Sequence, residues 1–108
     1  MDLPLQYRKL SDLFDQVLSL SHMILFELER GGTDENLELL QQRKDEAGRR
    51  IHRLTQEINS PGVGTDAQFT LRTLVEVKPL LNQIEKQTSL LEAVEKRIQT
   101  LVKQREKK

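Results

Sequence analysis

The chain has 108 residues, of which 36% are hydrophobic and 31% are charged, and it contains neither cysteine nor tryptophan. Lysine plus arginine and aspartate plus glutamate both number 17, so the formal net charge is zero at pH 7. This balance predicts a single small helical domain over residues 1–108, and it argues against a disulfide framework, a thiolate metal site and a basic surface that binds nucleic acid.

The first predicted helix covers about residues 3–30. An apolar stripe at helical period runs along it, with one residue every seven positions: Leu3, Leu10, Val17 and Ile24. Its most apolar run, residues 17–28, is interrupted by polar residues and is shorter than the roughly 20 residues that span a bilayer. The first residues also lack the basic and apolar regions of a secretion signal. We therefore expect a cytoplasmic protein that has no membrane partner.

A second helix is predicted at about residues 34–59. The glycine pair Gly31 and Gly32 ends the first helix, Thr33 or Asp34 can cap the second, and so short a connection implies an antiparallel hairpin. The second helix carries the clearest coiled-coil seam, with steps of three and four residues: Leu37, Leu40, Lys44, Ala47, Ile51, Leu54 and Ile58. Lys44 alone breaks this seam, and we interpret it as a side chain that extends to solvent past the core.

The third predicted helix covers about residues 66–105 and follows a loop rich in turn residues at 59–66. Its seam is also apolar, apart from Gln87 and Thr88 near the middle: Val77, Leu80, Ile84, Leu91, Val94, Ile98 and Leu101. Pro79 removes a backbone hydrogen bond and predicts a kink, or a break near residues 78–79. The predicted fold class is therefore all-α, an antiparallel three- or four-helix bundle with a long C-terminal helix.

Catalytic and cofactor-binding patterns are not found in the sequence. The segment 62–65 has two glycines but lacks the lysine and the preceding strand of a phosphate-binding loop. His22 and His52 lie on different helices without further ligands at metal-binding spacing. Carboxylates on the helices have basic neighbours one turn away, which is typical of solvated helix faces. We expect no enzyme activity, no cofactor and no metal.

The third predicted helix is longer than the other two, and this mismatch suggests a binding surface. At 1.5 Å per residue it spans about 60 Å, against about 40 Å for each of the others. An overhanging C-terminal end leaves apolar residues for a partner, and we predict these partner-binding residues: Ile84, Leu91, Val94, Ile98 and Leu101. Two alternatives remain open, namely a chain that folds back at Pro79 and a homodimer that covers both overhangs.

Several short stretches resemble the FliT type of flagellar export chaperone. The similar stretches are residues 18–21 and 26–31, residues 39–42 after the turn, Pro61-Gly62, and, in the last helix, Leu90-Leu91 with residues 95–97 and Leu101. The resemblance implies a cytoplasmic helical chaperone that binds a filament-cap subunit, or another export substrate, and components of the export apparatus. It also implies that the last helices contribute to the client groove.

The predicted function is non-enzymatic protein binding, as an export chaperone or adaptor that shields a flagellar or secreted client subunit. The proposed physics is the burial of the apolar face of a client segment in a helical groove. The alternative is a structural coiled-coil subunit of a larger complex, which uses the same seams for permanent assembly. The basic tail from Lys103 onward either caps its helix or attracts an acidic partner.

Overall fold

Three α-helices make up the part of the chain that the structure describes. The computed structural model describes residues 3–58 and 71–106, and it contains no strand in these ranges. Helix α1 runs from Leu3–Glu29, α2 from Asp34–Ile58 and α3 from Leu71–Glu106. The predicted all-α bundle is confirmed. The predicted loop at 59–66 and the first residues predicted for the third helix lie outside the described residues.

The core follows the apolar stripes that the sequence predicts. The four stripe residues of α1, one every seven positions, are all buried: Leu3, Leu10, Val17 and Ile24. A central cluster joins α1 to both other helices through five buried side chains: Leu3, Leu10, Leu54, Ile58 and Val77. Burial of such side chains stabilises the fold by about 1.5–3 kcal/mol each. The seam of each helix therefore becomes the contact face of the bundle.

Hydrogen bonds at both helix ends define the turn between α1 and α2. Gly31 has a φ of 71°, and the amide of Gly32 donates to the Glu27 carbonyl at 2.7 Å while the amide of Gly31 donates to Leu28 at 3.3 Å. This is the Schellman arrangement, which needs a residue in the left-handed region and so favours glycine. The Thr33 hydroxyl then accepts from the amide of Asn36, which makes Thr33 the N-cap of α2.

The helices run up, down and up along a rod of 58 × 20 × 17 Å. Helix α3 is parallel to α1, because Ser11 contacts Gln87 and Ser21 contacts Glu95 in the same order along both helices. Helix α2 is antiparallel to both. Helix α1 packs closely against both α2 and α3. Among the described residues, no Cα atom of α2 lies within 8 Å of a Cα atom of α3. Helix α1 is therefore the central element.

Pro79 does not break α3, which is one continuous helix from residue 71 to 106. A proline deprives the carbonyl four residues earlier of its helical partner, here the carbonyl of Val75. Both Pro79 and Val75 are exposed, so water can bind that carbonyl. The predicted alternative of a break at 78–79, and with it a separate fourth helix at that point, is therefore wrong.

The C-terminal end of α3 does not overhang the hairpin as the sequence analysis expected. Arg105 donates to the carbonyl of Gly32 at 3.0 Å and to the Asp34 carboxylate at 2.7 Å, so this end lies beside the turn. At the other end, Val77 packs in the cluster with Leu3 in the first turn of α1. The extra length of α3 lies before Val77 instead, at residues 71–76.

Leu54→Ala tests the assignment of the core. Leu54 is 9% exposed and belongs to the central cluster, so its truncation should leave a cavity and lower the free energy of unfolding by about 2–5 kcal/mol. Urea unfolding followed by circular dichroism measures this change. The control Leu90→Ala removes a side chain that is 56% exposed and should shift stability by less than about 0.5 kcal/mol. Equal effects of the two substitutions would contradict the observed packing.

Candidate functional site

An open apolar groove of about 430 Å³ lies on the outer side of the α1–α2 hairpin, near the turn. We call it the α1–α2 groove, and it is lined by His22, Met23, Phe26, Glu27, Asn36, Leu39 and Leu40. Three of its apolar side chains are unusually exposed: Phe26 at 62%, Met23 at 52% and Leu39 at 48%. Clustered apolar exposure of this kind marks interaction surfaces more often than single exposed residues do.

The groove arises because its apolar residues lie off the seams that fill the core. Met23 and Phe26 stand beside Ile24, the buried stripe residue of α1, and point away from the core. Leu39 likewise precedes the seam residue Leu40 on α2. This surface was not predicted, because the seven-residue stripes and seams alone were used to find contact faces and Met23, Phe26 and Leu39 lie outside them. In the sequence, this surface is indicated only by apolar residues that lie beside each stripe and not within it.

Polar contacts at the turn hold one end of the α1–α2 groove in place. The guanidinium of Arg30 lies over the Phe26 ring, 5.4 Å from its centroid, and donates to the Glu27 carboxylate at 2.5 Å. Glu27 is buried, and its Oε2 atom has no hydrogen-bond partner among the described residues. A side chain at Gly32 would collide with this carboxylate, so glycine leaves room for it. Arg30, which follows the end of α1, therefore covers part of the Phe26 ring, which remains 62% exposed.

Opposite charges flank Leu39 along α2. Glu35 precedes it by one turn and Arg43 follows it by one turn, so the three side chains are neighbours on the helix surface. Both charged residues are exposed, and neither has an ion-pair partner among the residues that the structure describes. Leu39 therefore lies between an acidic residue nearer the turn and a basic residue farther along α2.

The structure places the five predicted partner-binding residues along the face of α3 that packs on the bundle. Ile98 is buried at 8% exposure, and Ile84 packs partly buried against the central cluster. Leu91, Val94 and Leu101 are half-buried. These residues share one face, as predicted, but only their edges are accessible in the single chain. Their role in partner binding stays a prediction.

A polar layer in the bundle connects α3 to α1 at Gln87. The Gln87 side chain is buried, accepts from the Ser11 hydroxyl at 3.1 Å, and donates to the Ser11 carbonyl at 3.1 Å and to Asp15 at 2.6 Å. All polar atoms of this amide are therefore bonded. Thr88 beside it bonds only within its own helix, to the Ile84 carbonyl. Gln87 thus fixes the position of α3 along the axis of α1. This arrangement favours a structural role for Gln87.

A second polar layer joins all three helices around Glu95. Its carboxylate pairs with Lys44 of α2 and accepts from the Ser21 hydroxyl of α1 at 3.4 Å. Ser21 is fully buried, and the Lys44 side chain is 14% exposed. Lys44, which was predicted to extend to solvent past the core, instead pairs with the Glu95 carboxylate. This pair bridges α2 and α3 where their backbones are far apart.

The described part of the chain, residues 3–58 and 71–106, lacks metal-binding and membrane-spanning features. Within it, no group of three or more histidine, cysteine, aspartate or glutamate residues is placed to hold a metal ion. No helix in these ranges is long and apolar enough to cross a membrane.

Comparisons with models of protein families, with characterised proteins and with solved structures found no match. The resemblance to flagellar export chaperones therefore depends on the quoted sequence stretches alone.

Gln87→Ala tests the structural role of the polar layer. The substitution leaves the Ser11 hydroxyl and carbonyl without their buried partner, so we expect the free energy of unfolding to fall by about 1–3 kcal/mol. The control Thr88→Ala removes a hydroxyl that bonds within α3 and should have a smaller effect. Denaturant unfolding of both variants measures the difference. A Gln87→Ala variant as stable as the parent would show that the layer contributes nothing to stability.

Proposed function

We propose that this protein binds a helical segment of another protein and catalyses no reaction, as an export chaperone or adaptor that shields its client. The observation that carries the proposal is the exposure of Phe26, Met23 and Leu39 around one groove between two helices. A groove between antiparallel helices accepts the apolar face of a third helix, whose anchors recur every three or four residues. Phenylalanine and methionine suit such contacts, since both offer large apolar area and methionine adapts its shape.

The client class comes from the sequence resemblance. A filament-cap subunit or another exported subunit is the proposed client, and export apparatus components are further proposed partners. Helical segments that later pack into a filament are apolar on one face and need shielding before assembly. The residues predicted on α3, from Ile84 to Leu101, form a second proposed contact, which a client reaches at the half-buried edges of Leu91 and Leu101.

A structural coiled-coil subunit is the second candidate. The unbroken length of α3, about 54 Å, together with the exposed Leu81 and Leu90 on its flanks, favours this role. A structural subunit requires permanent assembly, whereas a chaperone must release its client. Sedimentation at decreasing concentration separates the two, because only a permanent assembly persists on dilution.

Photo-cross-linking in the source cells tests the proposed function. A photoreactive residue at position 39 should capture one heterologous protein, which mass spectrometry identifies. The same residue at position 49, exposed on another face of α2, is the matched control and should not capture it. Position 91 reports on the second proposed contact on α3. Capture at 49 as strong as at 39 would reject the α1–α2 groove as the client site.

Leu39→Asp should separate binding from folding. Leu39 is half-exposed and off the core seam, so the charge should change the free energy of unfolding by less than about 1 kcal/mol while capture of the client is lost. Ile98→Asp, which buries an uncompensated charge, should instead unfold the bundle. Thermal melting and client capture are measured on both variants. A Leu39→Asp variant that still captures its client at the parental level would contradict the proposal.

A further inference from the structure

The side chains around Leu39 are ordered so that the surface complements itself. Along α2 an acid, an apolar residue and a base follow at equal intervals of four, as Glu35, Leu39 and Arg43. When a second helix with this order lies antiparallel to the first, with Leu39 facing Leu39, each acid lies opposite a base. From this order we propose that the α1–α2 groove binds a second copy of this chain, in a twofold dimer with Leu39 at the axis.

The twofold geometry follows from the antiparallel crossing of α2 with its copy. Leu39 meets Leu39 of the second copy, Glu35 meets Arg43 of the second copy, and Arg43 meets the second Glu35. In such an isologous contact every favourable pair is formed twice. Neither charge has an ion-pair partner within the described residues of its own chain, so no existing pair has to break. The charge order also fixes the direction of the partner, since a parallel helix would bring like charges together.

The apolar area of the groove agrees with a small, reversible interface. Phe26, Met23 and Leu39 together expose on the order of 300 Å² per copy, comparable to the largest apolar patch on a typical monomer. Two copies would therefore bury on the order of 600 Å² of apolar surface at the centre. With a polar rim, the contact falls at the lower end of specific interfaces, about 1,200 Å² in total. An equilibrium between monomer and dimer is expected, and not a permanent assembly.

This inference does not rest on the proposed function, because the dimer forms without a client. The two proposals concern the same groove, so a client and a second copy compete for it. Self-association would then cover Phe26, Met23 and Leu39 while no client is present. Failure of either proposal leaves the other testable, since one is measured on the purified chain and the other by heterologous capture.

Charge exchange tests the dimer on the full chain. Sedimentation equilibrium from about 1 μM to about 1 mM should show concentration-dependent dimerisation of the parent protein. Glu35→Arg and Arg43→Glu should each weaken dimerisation about tenfold or more at low salt, because each turns two attractive pairs into repulsive ones. An equimolar mixture of these two variants should form a heterodimer with nearly parental affinity, since its acids again face bases. The double variant E35R/R43E should also dimerise.

Matched controls lie on the same helix, away from Leu39. Glu57→Arg and Arg49→Glu make the same charge changes at exposed positions farther along α2 and should leave dimerisation unchanged. Circular dichroism confirms that every variant is folded. A parent protein that stays monomeric over the whole range would overturn the proposal. So would single variants that dimerise like the parent, or a mixture of weakened variants that fails to associate.

Discussion

Helix α1 packs against α2 and α3 at once, and the rest of the bundle depends on these two contacts. Its apolar stripe of Leu3, Leu10, Val17 and Ile24 supplies the centre of the core. Beside the stripe, Ser11 and Ser21 turn small polar side chains toward α3, where Gln87 and Glu95 bind them. Because the backbones of α2 and α3 do not approach one another closely, both are positioned mainly through α1, and side-chain bridges such as Lys44–Glu95 link them directly. The remaining apolar residues on the α2 side are left outside and form the groove.

The sequence was sufficient for the helices but not for the site. Seven-residue spacing identified the contact faces, and the glycine pair with Thr33 located the turn, since these depend on local geometry. Two errors had a common origin in tertiary context. Pro79 is tolerated because the carbonyl that it leaves without a helical partner belongs to Val75, which is exposed to water. The spacing of apolar residues does not show whether a given turn of a helix is exposed. The greater length of α3 was predicted correctly. Which of its ends extends past the hairpin depends on where Gln87 holds α3 along the axis of α1.

The site was missed because apolar periodicity does not distinguish a residue in the core from one just beside it. Phe26 lies only two residues after the stripe residue Ile24, yet it is among the most exposed apolar side chains described. The charges that would set the direction of the proposed dimer, Glu35 and Arg43, look like ordinary solvated residues in the sequence. Only their position on either side of an exposed leucine makes them informative. The proposed binding surface therefore consists of residues that lie beside the seams and not in them.

The tight Schellman turn at Gly31 also bears on how the chain folds. It joins α1 and α2 through local contacts, whereas the bonds between α1 and α3 connect residues separated by 76 and 74 positions in the chain. Closing a long loop costs entropy that a short turn avoids, so the hairpin is the natural folding nucleus and α3 docks afterwards. The polar layers would then form late, after the transition state. Their contribution would appear in the rate of unfolding, and the rate of folding would depend on the hairpin.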